Sequence, residues 1–191
     1  MIAACASCCK TLREALPEVS VVSLWEVLDT ECPSLSFREE ACCGGVPTLS
    51  IHDPCSARHD EAWLRSVRSL LSKRGVPFEE PRLSGETTPC CGYGGLTWDA
   101  NPQLASAIAA DRAGQLEHDA VTSCIMCRER LVAEGKPSLH MLDLLYPGES
   151  LHAAATAKGS GLSARRAGRA ALRTEVLRRY AGESVAETAD D

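Results

Sequence analysis

Residues 48–55 have the sequence TLSIHDPC, in which apolar and polar side chains alternate before an Asp-Pro pair and a cysteine. Such alternation predicts a β-strand, and Asp53-Pro54 predicts the turn that ends it. Residues 57–73 then place apolar side chains at spacings of three and four, which predicts an amphipathic helix that ends near Gly75. The fold is therefore expected to be built from strands that end in a cysteine and lead into a helix.

The same order recurs further along the chain. Residues 120–123 (AVTS) predict a short strand that ends at Cys124, and a helix follows to about residue 134. Between the two units, residues 76–78 predict a weak strand and residues 102–118 a second amphipathic helix. Strands that alternate with helices are typical of a parallel sheet, so we expect an α/β fold of Rossmann-like βα units with a peripheral C-terminal helix.

An internal repeat organises the chain, because residues 5–28 resemble residues 124–145. CASCCKTL parallels CIMCRERL, and LWEVL parallels MLDLL after a shift of two residues. We therefore divide the chain into three parts: 1–46, the C-terminal part of an incomplete first repeat with a connecting loop; 47–148, a complete repeat; and 149–191, a helical extension with an acidic tail. Within the first part we expect a helix at 11–15, a strand at 19–24 and a loop from 29.

Composition excludes several classes of protein. The chain has 191 residues, 45% of them apolar, and a net charge of -6 without a block of like charge, so a nucleic acid is not an expected partner. No apolar stretch approaches the roughly 18–20 residues that a membrane span requires. We expect a cytoplasmic protein, or one peripheral to a membrane complex.

Eleven cysteines are the unusual feature of the composition. A chain of this length can bury a sufficient core without disulfides, and an odd count argues against a disulfide framework. Five of the cysteines fall where strands end or in a Gly-rich turn, namely Cys55, Cys90, Cys91, Cys124 and Cys127. Ligands collect at the carboxyl ends of strands in open α/β sheets, and a CxxC at a helix start favours thiolates. The pattern predicts a metal site.

The segments HDPCSARHD, PCCGYGGLTW and TSCIMCRERL resemble the cysteine-rich CCG domain of heterodisulfide reductase and its relatives, over residues 47–147. The resemblance implies an iron–sulfur cluster, in that reductase a noncubane [4Fe-4S] form, held by all five cysteines named above. Zinc is the alternative metal, because four thiolates would satisfy its tetrahedral geometry. One of the five cysteines would then have no role.

A second site is a separate expectation, because the family pattern includes another complete motif before this one. Here Cys5 and Cys8 remain, so the missing half lies on an upstream or separate polypeptide, or Cys42 and Cys43 substitute for it. With Cys42 and Cys43 this would be a smaller second site, for which zinc is a candidate metal. The alternative is that these cysteines, with Cys9 and Cys32, are buried or loop residues without ligand roles.

Other side chains near the motif have less specific roles. His52 and His59 flank Cys55 and would either donate a hydrogen bond to a cluster sulfur or deliver a proton, or, as is more common for such residues, cap a helix or lie at its surface. We interpret Asp53 as a turn or N-cap residue rather than a catalytic acid, and Trp98 as core filling rather than a shield over the cluster.

The expected function is electron relay. The sequence has no nucleophile elbow, Walker A loop or GxGxxG, so we expect a flavoprotein or a ferredoxin-type iron–sulfur subunit to exchange electrons with the centre. The acceptor would be a disulfide, a quinone or another carrier. The alternative is a zinc-stabilised assembly or interaction module that is not an enzyme. A CxxC thiol oxidoreductase is a weaker third hypothesis, because the thioredoxin pattern is absent.

Overall fold

The computed structural model describes residues 1–31, 47–148 and 150–186, with the side chains of 162 and 181–186 excepted. The chain divides into two compact units, residues 1–157 and residues 158–191. Of the predicted second site, Cys42 and Cys43 lie outside the described residues, as do Cys32 and the acidic tail.

The first unit is an α/β structure with parallel strands, as the sequence predicts. Two strands form a small sheet, in the order β1-β2, and four form a larger sheet, in the order β4-β3-β5-β6. Every pairing is parallel. The strands are β1 (Ile2–Ala3), β2 (Val22–Ser23), β3 (Leu49–His52), β4 (Phe78–Glu79), β5 (Ala120–Thr122) and β6 (Ser138–His140).

Helices connect these strands in the manner of βα units. Two short 3-10 turns, Cys55–Ala57 and Gly85–Thr87, occupy loops near the predicted metal site. The α-helices are α1 (Ala6–Ala15), α2 (Leu24–Thr30), α3 (Glu61–Lys73), α4 (Thr97–Ala100), α5 (Pro102–Gly114), α6 (Ile125–Ala133), α7 (Met141–Leu145), α8 (Leu151–Thr156) and α9 (Leu162–Ala186).

The central strands β3 and β5 end side by side. All four residues of β3 and all three of β5 are buried, and His52 pairs in register with Thr122. Because the strands are parallel, both carboxyl ends lie at the same edge of the sheet. The segments that carry Cys55 and Cys124 therefore leave the sheet at neighbouring points.

The internal repeat is present in three dimensions. Strand β1 leads through Cys5 into α1, as β5 leads through Cys124 into α6, and β2 and β6 each lead directly into a short helix. The start of α2 is capped by Ser23, whose Oγ accepts from the Trp25 N–H at 3.1 Å. The start of α7 is capped in the same way by His140, whose Nδ1 accepts from the Leu142 N–H at 3.2 Å.

Several predicted boundaries in the first repeat were wrong. Helix α1 begins at Ala6 rather than at residue 11, and the strand predicted at 19–24 is reduced to Val22–Ser23. Ser23 caps a helix, α2, which begins inside the segment predicted as a strand; this helix was not predicted from the sequence. In the complete repeat, α5 ends at Gly114 rather than at residue 118.

One hydrophobic core joins the first repeat to the second. Trp25 of α2 and Trp63 of α3 are both fully buried, with ring centroids 6.1 Å apart in an edge-to-face arrangement. Polar contacts between the same two helices add to this packing, because Asp29 Oδ1 accepts from Ser69 Oγ and from Lys73 Nζ, each at 2.6 Å. The first repeat therefore forms part of the fold that supports the cysteines.

The second unit contains the long helix α9, as predicted for this region. Its side chains from 163 to 180 are exposed except for the half-buried Glu175, which pairs with Arg178 at 2.9 Å and Arg179 at 3.0 Å. Neither α9 nor any other helix in the described part of the chain is both long enough and apolar enough to cross a membrane.

Candidate metal centre

Cys55 lies just beyond β3, where Pro54 and a 3-10 turn direct the chain away from the sheet. The turn is followed by α3, whose N-cap is Asp60; its Oδ1 accepts from the Trp63 N–H at 3.0 Å. Cys55 is half-buried and begins this turn. The sequence therefore places a thiol at the carboxyl edge of the sheet, as predicted from the strand that ends in DPC.

Cys90 and Cys91 precede the Gly-rich turn, and one glycine of that turn is required by the packing. Gly92 has φ +79°, and a Cβ at this position would lie 2.4 Å from the backbone oxygen of Ala105 in α5. The same residue donates its backbone N–H to Cys90 Sγ at 3.3 Å. The close approach of the turn to α5 and its N–H donor both depend on a residue without a side chain.

Cys124 and Cys127 come from the start of α6. Cys124 is the N-cap residue, with extended backbone angles, and Cys127 lies in the first turn of the helix and is buried. The first N–H groups of a helix have no partners within the helix, and they carry its positive dipole end. This end of α6 therefore favours thiolate over thiol.

The five predicted ligands form one continuous set of sulfur contacts. Cys55 Sγ lies 3.9 Å from Cys90 Sγ. Hydrogen bonds then link the thiol of Cys91 to those of Cys90 and Cys127, and that of Cys127 to that of Cys124. Three separate segments of the chain, between residues 55 and 127, thus bring their thiols together without a disulfide among them.

The thiols polarise one another, so that their pKa values diverge. Hydrogen bonds from Cys55 and Cys91, helped by the backbone N–H groups of Gly92 and Gly94, lower the pKa of Cys90 to about 2 despite its burial. A hydrogen bond from Cys127, helped by the N–H groups at the start of α6, lowers the pKa of Cys124 to about 6, also against burial.

The remaining three thiols hold their protons. Hydrogen bonding to Cys90, and then burial, raise the pKa of Cys55. The hydrogen bond with Cys127 lowers the pKa of Cys91. The hydrogen bond with Cys90 and burial together outweigh this effect and raise the pKa to about 11. Bonding to Cys124 and Cys91, and burial, raise the pKa of Cys127. Adjacent thiolates repel one another, so full ionisation of the set requires a cation among them.

A buried histidine and a buried arginine adjoin the thiols. A ring nitrogen of His52 lies within 4.8 Å of the Sγ atoms of both Cys91 and Cys127. Its Nδ1 accepts a hydrogen bond from Nε of Arg112 in α5 at 3.0 Å. His52 Nε2 and Arg112 Nη2 are buried and have no hydrogen-bond partner among the described residues. Burial, and then the charge of Arg112, lower the pKa of His52 to about 3.

The donor set suits iron–sulfur chemistry. Thiolates are soft ligands that select iron–sulfur clusters and zinc, and five of them converge here. His52, which has a ring nitrogen within 4.8 Å of two of the thiols, and Arg112 each keep a buried nitrogen without a partner among the described residues, and sulfur atoms bound to metal would accept hydrogen bonds from such donors. On both counts the residues present fit a metal–sulfur group.

Comparison with known proteins identifies the region. The CCG family, described as a cysteine-rich domain, matches residues 49–131, from the start of β3 into α6. These residues form a CCG domain. Over 158 residues the chain is also 25% identical to a subunit of the fumarate reductase (CoM/CoB) of Methanothermobacter marburgensis.

The match to that relative is partial. It covers 76% of this chain but 31% of the relative, so the chain spans about a third of the length of the curated protein. No solved structure matches the chain.

The CCG domain uses Asp53 differently from the prediction. Asp53 is buried, and its two carboxylate oxygens accept from Arg68 Nη1 at 3.0 Å and Nη2 at 2.9 Å and from the Gly85 N–H at 2.8 Å. The N-cap of α3 is Asp60, so the interpretation of Asp53 as an N-cap was wrong. Asp53 instead ties β3 to α3 and to the loop that leads to Cys90.

Trp98 and His59 are both exposed rather than buried in the core. Trp98 is 37% exposed and stacks on the guanidinium of Arg130, 3.9 Å from the ring centroid, so the prediction that it fills the core was wrong. His59 is exposed and lines a cavity of about 570 Å³ beside Cys55. Lys10 and Arg13 of α1 line the same cavity.

The described part of the predicted second site is open to solvent. Cys5 and Cys8 are exposed at the start of α1 and are hydrogen-bonded to one another, an arrangement that raises the pKa of Cys8. Cys9 is buried and its thiol donates to the Ala3 carbonyl at 3.5 Å, so it has a packing role. Of the two predictions for Cys5 and Cys8, a metal site or no ligand role, this exposure favours the second, and both stay predictions.

Sequence reasoning missed Arg112. It lies on the buried side of α5, in a stretch that the apolar spacing predicts only as an amphipathic helix. An arginine between Asp111 and Ala113 gives no sign of burial, and the contact with His52 joins residues 60 positions apart. The contact between α5 and the end of β3 becomes visible only in the folded chain.

Proposed function

We propose that the CCG domain binds one iron–sulfur cluster through Cys55, Cys90, Cys91, Cys124 and Cys127, and that the chain is an electron-transfer subunit of an oxidoreductase. The observation that carries this proposal is the continuous contact of the five thiols from three segments. Five converging thiolates exceed the four that a tetrahedral metal ion needs. A cluster with several irons gives each of them a role.

The protein's part in such a reaction is to hold, shield and orient. A cluster, when bound, would supply one-electron exchange. Cys91 and Cys127 are buried and would close the inner side, whereas Cys55, Cys90 and Cys124 are half-buried and lie nearer to solvent. An electron donor therefore approaches from the side of Cys55 and Cys90. We expect this donor to be a flavoprotein or a ferredoxin-type subunit.

The proposal includes an electron acceptor, which would bind at the cavity beside Cys55. The cavity beside Cys55 has a volume of about 570 Å³, within the range of sites for small molecules. Its wall carries the hydrogen-bond donors Lys10, Arg13 and His59 together with the carboxylates of Glu14, Asp60 and Glu61, and Arg13 pairs with Asp60 at 2.6 Å. The relative's name is that of a reductase subunit, which supports a redox role for this chain over an assembly role. A disulfide, a quinone or another carrier would take the electrons here.

A zinc-stabilised module is the second candidate, and one observation favours it. His52, Cys91 and Cys127 place their ligand atoms within 4.8 Å of one another, a grouping compact enough for a single ion. With Cys124 such a site would have four ligands. It would leave Cys55 and Cys90 unused, although their thiols are in contact at 3.9 Å. The cluster accounts for more of the site.

The test is the metal and sulfide content of protein purified without oxygen, with an EPR spectrum of the reduced and oxidised forms. We expect about four irons and four sulfides per chain. Cys90→Ser and Cys91→Ser should both lose the iron and the visible absorption.

The matched control is Cys9→Ser, because Cys9 is a buried cysteine outside the thiol set. This variant should keep the full iron content. One zinc per chain without iron, under the same conditions, would contradict the proposal and favour the assembly module.

A further inference from the structure

His52 is held in one orientation at the end of β3. It is 1% exposed, and its Nδ1 lies 3.0 Å from Nε of Arg112. An arginine guanidinium has only donors, so Nδ1 must be the acceptor in this bond and carries no proton. A neutral imidazole then carries its proton on Nε2. Arg112 thus selects the tautomer of His52.

The selected tautomer leaves the Nε2–H of His52 as the ring donor available to the thiols. The lone pair of Nδ1 is occupied by Arg112, so Nε2 is the nitrogen left to interact with Cys91 and Cys127, both within 4.8 Å of the ring. Nε2 is buried and has no partner in the described part of the chain. Burying an N–H without a partner is unfavourable, so a sulfur acceptor at this point would be strongly favoured.

The same bond argues against His52 as a metal ligand. A histidine that binds metal through one nitrogen usually donates its other N–H to a carbonyl or carboxylate. Here the other nitrogen accepts from a cation. Nε2 would have to lose its proton, next to Arg112, before it could bind metal.

Arg112 is itself a buried cation without a paired carboxylate. Its side chain is fully buried, and it forms no ion pair within the described residues. Asp53 is the strongest acidic influence on it, but Asp53 already binds both Nη atoms of Arg68. Burial is the largest influence and lowers the pKa of Arg112, whereas Asp111 and, when it is ionised, Cys127 are the other groups that favour its charge. A buried charge requires compensation, and metal-bound thiolates beside it would supply negative charge.

We propose that His52, oriented by Arg112, is a positioning residue that donates its Nε2–H to sulfur at Cys91 and Cys127 and thereby raises the reduction potential of the bound cluster. This inference rests on the proposed function. An added electron increases the negative charge on the sulfur atoms, so an N–H donor and a nearby cation stabilise the reduced state more than the oxidised state.

The first test needs no cluster. Long-range 1H–15N correlation on the metal-free chain should show His52 with its proton on Nε2 and with an unprotonated Nδ1. In Arg112→Met this fixed preference should be lost. A proton on Nδ1 in the unaltered chain would overturn the proposal. The result is independent of iron, so it separates failure of this inference from failure of the proposed function.

The second test measures the midpoint potential of the reconstituted protein. His52→Leu removes the donor and should lower the ratio of reduced to oxidised protein about tenfold at the original midpoint, which is about 59 mV for a one-electron couple. Arg112→Met should also lower the ratio of reduced to oxidised protein at that potential. His52→Gln retains an N–H donor and should recover most of the difference.

The control for this series is His118→Leu, at the opposite end of β5 from Cys124, which should leave the potential unchanged. Equal potentials for His52→Leu, His52→Gln and the unaltered chain would overturn the proposal. Loss of the cluster in His52→Leu together with spectroscopic evidence of nitrogen ligation in the unaltered protein would also overturn it, because His52 would then be a ligand. If His52→Leu does not fold, the comparison of Arg112→Met with His118→Leu decides.

Discussion

The two CxxC helices of this chain have the same local structure and different surroundings. Cys5 and Cys124 both occupy the N-cap position with extended backbone angles, each just after a short parallel strand. Cys127 is buried and its thiol contacts those of Cys91 and Cys124, whereas Cys8 is exposed and its only thiol partner in the described chain is Cys5.

The difference shows that a strand, a CxxC and a helix do not by themselves make a five-thiol site. The helix start near Cys124 is completed by two segments that converge on it, one through Cys55 and one through Cys90 and Cys91. In the first repeat, α1 and α2 instead contribute Trp25 and Asp29 to packing against α3. The described part of the first repeat thus contributes to the packing of the fold.

The largest expected effect is a difference in iron content between variants of Cys127 and Cys8, the equivalent cysteines of the two repeats. Cys127→Ser should abolish iron binding, because it removes the buried thiol that links Cys91 to Cys124. Cys8→Ser should leave the iron content unchanged. Iron analysis of the two purified variants checks both, and loss of half or more of the iron in Cys8→Ser would break the comparison by making the first repeat a metal site.

The structural role of the first repeat predicts the next effect. Trp25→Ala removes a fully buried ring that contacts Trp63, and should lower the free energy of unfolding by about 3–5 kcal/mol. Urea denaturation of the metal-free chain measures this. Trp98→Ala is the matched control: this exposed ring stacks on Arg130, so its loss should cost less than about 1 kcal/mol. Equal costs would contradict a shared core.

The Gly-rich turn allows a smaller, paired test. Gly92 and Gly75 both have positive φ, but a Cβ would meet the Ala105 oxygen at 2.4 Å only at Gly92, since Gly75 has nothing within 4 Å. Gly75→Ala should cost about 1–2 kcal/mol for the left-handed backbone. Gly92→Ala should cost about 1–3 kcal/mol more, because the turn must move away from α5. Indistinguishable urea midpoints would contradict this account of the turn.

The smallest effect concerns pH and the contact between α2 and α3. Burial acts in the opposite sense, but hydrogen bonds from Lys73 and Ser69 hold the pKa of Asp29 below its ordinary value. A lowered pKa in the folded state means that this carboxylate stabilises the fold above about pH 4, and that the contribution disappears as the pH falls further.

Asp29→Asn should therefore destabilise the chain by roughly 0.2–1 kcal/mol at pH 7 and by less at pH 3. Urea midpoints at the two pH values check this, with Glu18→Gln as an exposed control. An equal loss of stability in Asp29→Asn at pH 7 and at pH 3 would contradict the role of the Asp29 charge.

The sequence was sufficient for the α/β class, for β3 and β5 and for the three segments that carry the five cysteines, because each rests on local alternation or spacing. It was insufficient where distant residues decide. Asp53 is bound by Arg68 rather than by a helix start, and Trp98 is turned toward Arg130 at the surface. The buried pair of His52 and Arg112 depends on the packing of α5, which no local pattern records.

The central claim is that five thiols from three segments bind one group while those of the first repeat do not. Differential alkylation of anaerobically purified protein tests it directly, with mass spectrometry to locate the label before and after the metal is removed. We predict that Cys55, Cys90, Cys91, Cys124 and Cys127 are protected until removal, and that Cys5 and Cys8 are labelled throughout. Labelling of Cys55 and Cys90 in the loaded protein, with only the other three protected, would contradict the five-thiol site.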